Sequence, residues 1–151
     1  MLEYKKKMRG SAEDVYYCII DAMVSDIYRY TGKDISHEQF EQGYKYKITP
    51  RGAKKGQTAT INIKQPIPNK KLTSFYSFGG MTTEMIYNIN SIDETHSEVH
   101  FTQNQGKTDP FHKLIFNFKM WRFLSYIQDL VRCRRNERRQ EEKKKAKDGN
   151  N

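Results

Sequence analysis

The spacing of apolar residues changes three times along this chain, and the order of those changes limits the folds open to it. Leu2 to Met8 alternates as a strand does. A single glycine, Gly10, separates it from Ser11, a helix-capping residue type, with Glu13 and Asp14 in the first turn where the helix dipole favours acids. Val15, Ile19, Met23 and Ile27 follow at i, i+4 spacing, flanked by Tyr16, Ile20 and Ala22. Asp14, Asp21, Ser25 and Arg29 fall away from that stripe, so a core-facing helix with a polar back is expected, ending at Thr31-Gly32. Ser36, with Gln39 three residues on, predicts a short second helical turn through Phe40.

From Gly43 the period becomes two. Tyr44, Tyr46 and Ile48 alternate with lysines and a threonine, and Pro50-Arg51-Gly52 reads as a turn. Four more strands are expected over 58–64, 72–78, 83–92 and 96–103, divided by Pro66 to Asn69, Gly79-Gly80 and Asp93 to Thr95. Such short connections make an antiparallel meander. Asp109, as cap, and Pro110, at the first helical position, open a long helix to about residue 140. One domain over 1–140 is expected, then a disordered basic tail over 141–151.

This order of elements resembles the helix-grip superfamily of START-like, birch-pollen-allergen-like proteins, and within it a small uncharacterised bacterial family. The opening strand followed by "SAEDVYYCIIDAM" is similar to the small-x-acidic start and Val-aromatic pair that many members carry. The resemblance spans roughly 2–140 and implies an α+β fold, a curved antiparallel sheet of about six strands wrapped around the long C-terminal helix. It also implies a gap between sheet and helix that takes an apolar or amphipathic molecule.

On that reading Tyr46, Ile48, Ile61, Ile63, Met85, Tyr87, Val99 and Phe101 form the concave face, closed by Phe118 and Trp121. The same residues read equally well as a filled core. The last helix carries two apolar stripes. Phe111, Leu114, Ile115, Phe118 and Trp121 share one face. Phe116, Met120, Phe123, Ile127 and Leu130 lie roughly opposite and form a candidate interface. The first helix, a second copy of the chain or an anionic membrane surface would each cover such a stripe, and a break near Lys119 would also reconcile the two.

The net charge is +9, of which residues 132–151 supply +5 through nine Lys/Arg against four Asp/Glu. The rest of the chain is therefore only mildly basic, and the basic turns at Arg51, Lys54, Lys55 and at Lys70, Lys71 fall at opposite ends of a meander. Nucleic acid is disfavoured as a partner on both counts. The lysine-bearing N-terminus lacks an apolar signal core, and no apolar run approaches the ~20 residues a bilayer span needs. With Cys18 and Cys133 far apart and reading as reduced thiols, a cytoplasmic protein is expected.

No cofactor or metal is expected. His96 and His100, four apart on a strand, are about 13 Å apart at ~3.3 Å per residue. "GGMTT" lacks the lysine of a phosphate loop. Tyr46 and Tyr87 are the residues an enzyme on this fold would use as acids or bases, and aromatic packing is the favoured alternative.

Overall fold

The computed structural model describes residues 1–104 and 110–149. Its strands are β1 (Leu2–Arg9), β2 (Tyr44–Ile48), β3 (Ala59–Ile63), β4 (Lys71–Phe78), β5 (Met81–Ser91) and β6 (His96–Asn104). The helices are α1 (Ala12–Thr31), α2 (His37–Glu41) and α3 (Pro110–Asp148). All six strands form one antiparallel sheet in the order β1-β6-β5-β4-β3-β2. The first strand of the chain thus pairs with the last, Tyr4 opposite Phe101 and Met8 opposite Ser97, once the two helices and the meander lie between them. With α3 laid against it, this is the helix-grip arrangement of an α+β protein.

Local chemistry accounts for the boundaries. The Ser11 hydroxyl accepts from the Asp14 N–H, and Gly32 ends α1 in the left-handed region at φ 72°. Ser36 and Gln39 form a reciprocal capping box on α2. Gly79 and Gly80 both take positive φ, as a two-residue hairpin between β4 and β5 requires. Asp109, the expected cap of α3, lies outside the described residues.

The core sits where α1 and α3 cross the β1–β6–β5 side of the sheet. Val15, Ile19 and Ile27 of α1 meet Leu124, Ile127 and Val131 of α3 over Met8, Ile89, Val99 and Phe101, all essentially inaccessible to water. Each such aliphatic side chain contributes about 1.5–3 kcal/mol of burial.

Three expectations are corrected here. The stripe of α3 that grips the sheet is the one through Phe116, Met120 and Ile127, joined by Leu124 and Val131. The stripe through Phe111, Leu114, Phe118 and Trp121 faces away and is more than half exposed. The reason is continuity. α3 runs unbroken through Lys119, so one 3.6-residue stripe must serve its whole length, and only the Phe116 stripe continues in phase to Val131. Asp14, expected on the polar back of α1, is buried and paired with Arg134 and Arg138 of α3. Residues 141–148 are the exposed last turns of α3.

Candidate ligand-binding cleft

Strand parity sets the floor of the cleft. The register aligns Tyr46 with Ile61, Ile48 with Ala59, and Tyr87 with Phe101, so the eight strand residues expected on the concave face do share one face. Their burial divides them. Ile63, Val99 and Phe101 are sealed into the core, whereas Tyr46, Ile61, Met85 and Tyr87 pack only partly against it and Ile48 stays half-exposed. Tyr44, Tyr76 and Phe78 extend the same half-buried surface. The helices thus seal Ile63, Leu72 and Ser74 on this face and leave partly uncovered a patch that runs from Tyr46 on β2 through Ile61 and Tyr76 to Met85 and Tyr87 on β5.

Aromatic rings link this floor to α3. Tyr87 lies 4.5 Å from Phe101 and 6.0 Å from Phe123, centroid to centroid, and Phe101 lies 5.7 Å from Phe116. Phe123 and Phe116, on the stripe for which the first helix, a second copy or a membrane are the candidate covers, are therefore part of the sheet–helix junction within the chain, with Met120, Ile127 and Leu130 packed alongside. Phe118 and Trp121, expected to close the cleft, stack on each other at 6.2 Å on the outer face.

Between α1 and α3 the surface opens into a pocket of about 380 Å³, lined by Ala22, Ser25, Asp26 and Arg29 from α1 and by Phe123 and Tyr126 from α3. Asp26 accepts a hydrogen bond from Arg29 at 3.0 Å. Burial raises the Asp26 pKa, and Arg29 opposes that. The Asp26 charge in turn reaches the tyrosines of the floor. Burial first, then Asp26 and Tyr30, push the Tyr46 phenol up to about 12, and burial with Asp26 raises Tyr87 as well. Both hydroxyls are protonated at neutral pH, so they act as neutral donors and acceptors.

The result is a half-open apolar surface with two phenols and one carboxylate–guanidinium pair at its edge. It can bury an apolar body while hydrogen-bonding a polar end. Asp26 and Arg29 were missed in the sequence because they sit on the flank of the α1 stripe, where polar residues are ordinary. Their i, i+4, i+7 relation to Ala22 was the available signal. Among the described residues no group of three or more His, Cys, Asp or Glu is placed to hold a metal ion, and no helix is long and apolar enough to cross a membrane.

No curated protein matches the sequence. Residues 2–123 match the model of a family described as a domain of unknown function, DUF3284. Solved structures show the likeness in three dimensions. Norcoclaurine synthase from Thalictrum flavum, a point mutant in complex with a transition-state analogue, is similar at TM-score 0.60 and 8% identity, over 89% of this chain and 94% of that one. A START superfamily protein from Mycobacterium smegmatis is similar at TM-score 0.55 and 10% identity, over 87% and 96%. DynU16, from the dynemicin biosynthetic locus, is similar at TM-score 0.56 and 10% identity over 87% of this chain, which spans about half of DynU16, 46%. At such identities the likeness is one of fold, and the fold is the START-like helix grip.

Proposed function

The chain belongs to the DUF3284 family, and on its START-like frame we propose that it binds a small hydrophobic or amphipathic molecule between the sheet and α3. One observation carries this reading. Tyr46, Ile48, Ile61, Met85 and Tyr87 share one face of the sheet yet remain half-buried, beside a pocket edged by Asp26 and Arg29. A solid core would have sealed them as it seals Val99 and Phe101. That a neighbour of the same fold was solved with a transition-state analogue bound supports the fold as a holder of small molecules. The tyrosine hydroxyls and the Asp26–Arg29 pair orient the polar end, and binding needs no chemistry beyond that.

Native mass spectrometry of gently purified protein, beside a denatured sample, tests the reading. Extra mass that disappears on denaturation, and that falls in a Met85→Trp variant built to fill the cleft, is the expected result. A clean apo mass, with no apolar fluorophore bound to the wild type, overturns it.

A second reading rests on the outer face of α3, where Phe111 and Leu114 are each 67% exposed and Phe118 and Trp121 more than half. Apolar exposure of this extent supports docking of a second copy or of an anionic membrane surface. Mass that rises with concentration, or sedimentation with anionic vesicles that Trp121→Ser abolishes, is its test.

A further inference from the structure

Further along α3 lies a concavity of different chemistry. Arg9, at the end of β1, and Gln128, Arg132, Arg135, Asn136 and Arg139 of α3 line a pocket of about 160 Å³, room for about five waters at ~30 Å³ each. On α3 these positions follow i, i+4, i+7, i+8 and i+11 from Gln128, so three guanidinium groups share one stripe and Arg9 adds a fourth.

The helix sorts its arginines by face. Arg134 and Arg138 point to α1 and share the single buried Asp14 carboxylate there. On the pocket side only Arg132 meets a carboxylate among the described residues, that of Asp129 at 3.9 Å, with both side chains mostly exposed. Such a pair is weak. Arg9, Arg135 and Arg139 are in ion pairs with no carboxylate of the described residues. Like charges three and four residues apart on one helix face repel, so a cluster of this kind is stabilised by an anion and destabilised without one.

The seat is also fixed. The Gln128 carboxamide oxygen accepts from the Arg9 N–H at 2.8 Å and its nitrogen donates to the Arg9 carbonyl at 2.9 Å, locking the strand end onto the helix. Asn136 adds an amide donor at the rim. Guanidinium forks match the oxygens of a phosphate in pairs, which a lysine cluster would not do.

We infer that this pocket is a binding site for a phosphate-type oxyanion, either a free phosphate group or the headgroup of a lipid. Leu114 and Trp121, one heptad apart and one heptad before Gln128, place an apolar surface on the same stripe, so both sources fit the geometry. The inference uses none of the cleft residues, and so stands or falls apart from the cleft.

The test is calorimetric titration of the full chain with inorganic phosphate at constant ionic strength, beside sedimentation with phosphatidylcholine vesicles with and without phosphatidic acid. Three proteins are compared: wild type, an Arg135→Gln/Arg139→Gln variant, and a Lys143→Gln/Lys144→Gln variant that removes equal charge from the same helix. The pocket variant should weaken binding by about tenfold or more and the lysine variant by less than about twofold. Arg9→Gln, on the strand, should reproduce the loss if the helix variant is poorly folded by circular dichroism. Phosphate binding without vesicle capture assigns a free phosphate, and pocket-dependent capture by phosphatidic acid assigns a headgroup. Equal losses in the arginine and lysine variants, or no binding in either assay, overturn the site.

Discussion

The Asp14 carboxylate on α1 accepts a hydrogen bond from Arg134 of α3 at 3.1 Å and a second from Arg138, tying together two helices 120 residues apart in sequence. Burial alone would raise the Asp14 pKa, but the hydrogen bonds and charges of Arg138 and Arg134 outweigh it and hold the group below 3.8. Because the folded value is the lower one, this contribution to stability is fully present above the unfolded pKa and is lost as pH falls through the folded one. Asp14→Asn should therefore cost about 2 kcal/mol at neutral pH, less than a fully buried pair because Arg138 is half exposed. Urea denaturation between pH 3 and 7 checks it. The difference between variant and wild type should shrink below pH 4, and a constant difference would refute the assignment.

Gly10 joins β1 to α1 at a point of contact with α3. Its φ is 153°, a conformation L side chains rarely adopt, and a Cβ built there would sit 2.5 Å from Cγ1 of Val131. Gly10→Ala should destabilise by about 2–4 kcal/mol, from strain and overpacking together. Val131→Ala removes the clashing methyl, so the double variant should be less destabilised than the two single losses combined. Strict additivity in denaturation midpoints would show that the contact does not matter.

The strands were legible because alternation fixes a face outright. Once Tyr46 is inward, so are Ile48 and its ladder partners, and the register agrees at every such position. Which stripe of α3 turns inward was not legible. Phe111 to Trp121 and Phe116 to Leu130 are comparably apolar, and the choice depends on the phase of the helix twenty residues later, at Val131. The same blindness hid the Asp14 pair, because a carboxylate on the edge of a helix stripe looks solvent-facing until a partner helix brings two arginines to it. Polar residues at the cleft edge, Asp26 and Arg29, were hidden for that reason too.

The phenol of Tyr46 should titrate late. Burial, Asp26 and Tyr30 push it to about 12, and Tyr16 is pushed to about 12 by its own burial and by Glu41. With ten tyrosines in the chain, difference titration against Tyr46→Phe isolates the group at tyrosinate absorbance. Asp26→Asn should lower the Tyr46 pKa, since removing a nearby negative charge eases formation of a second one. No change in Asp26→Asn would mean that the two residues do not share one cleft edge.

The two faces of α3 predict opposite mutational outcomes. Leu124 is fully buried against α1 and the sheet, so Leu124→Ala should cost about 2–5 kcal/mol. Phe118 and Trp121 are 57% and 51% exposed, so replacing either by Ala should change stability by no more than about 0.5 kcal/mol. Trp121 is the only tryptophan, which lets intrinsic fluorescence report that face alone. Its emission should be that of a solvated indole and should stay so when a molecule enters the cleft. It should shift to the blue when the outer face is covered by another chain or a bilayer. A blue-shifted emission in the dilute free monomer, or a large loss of stability in Trp121→Ala, would mean that the helix is turned about its axis relative to the packing described.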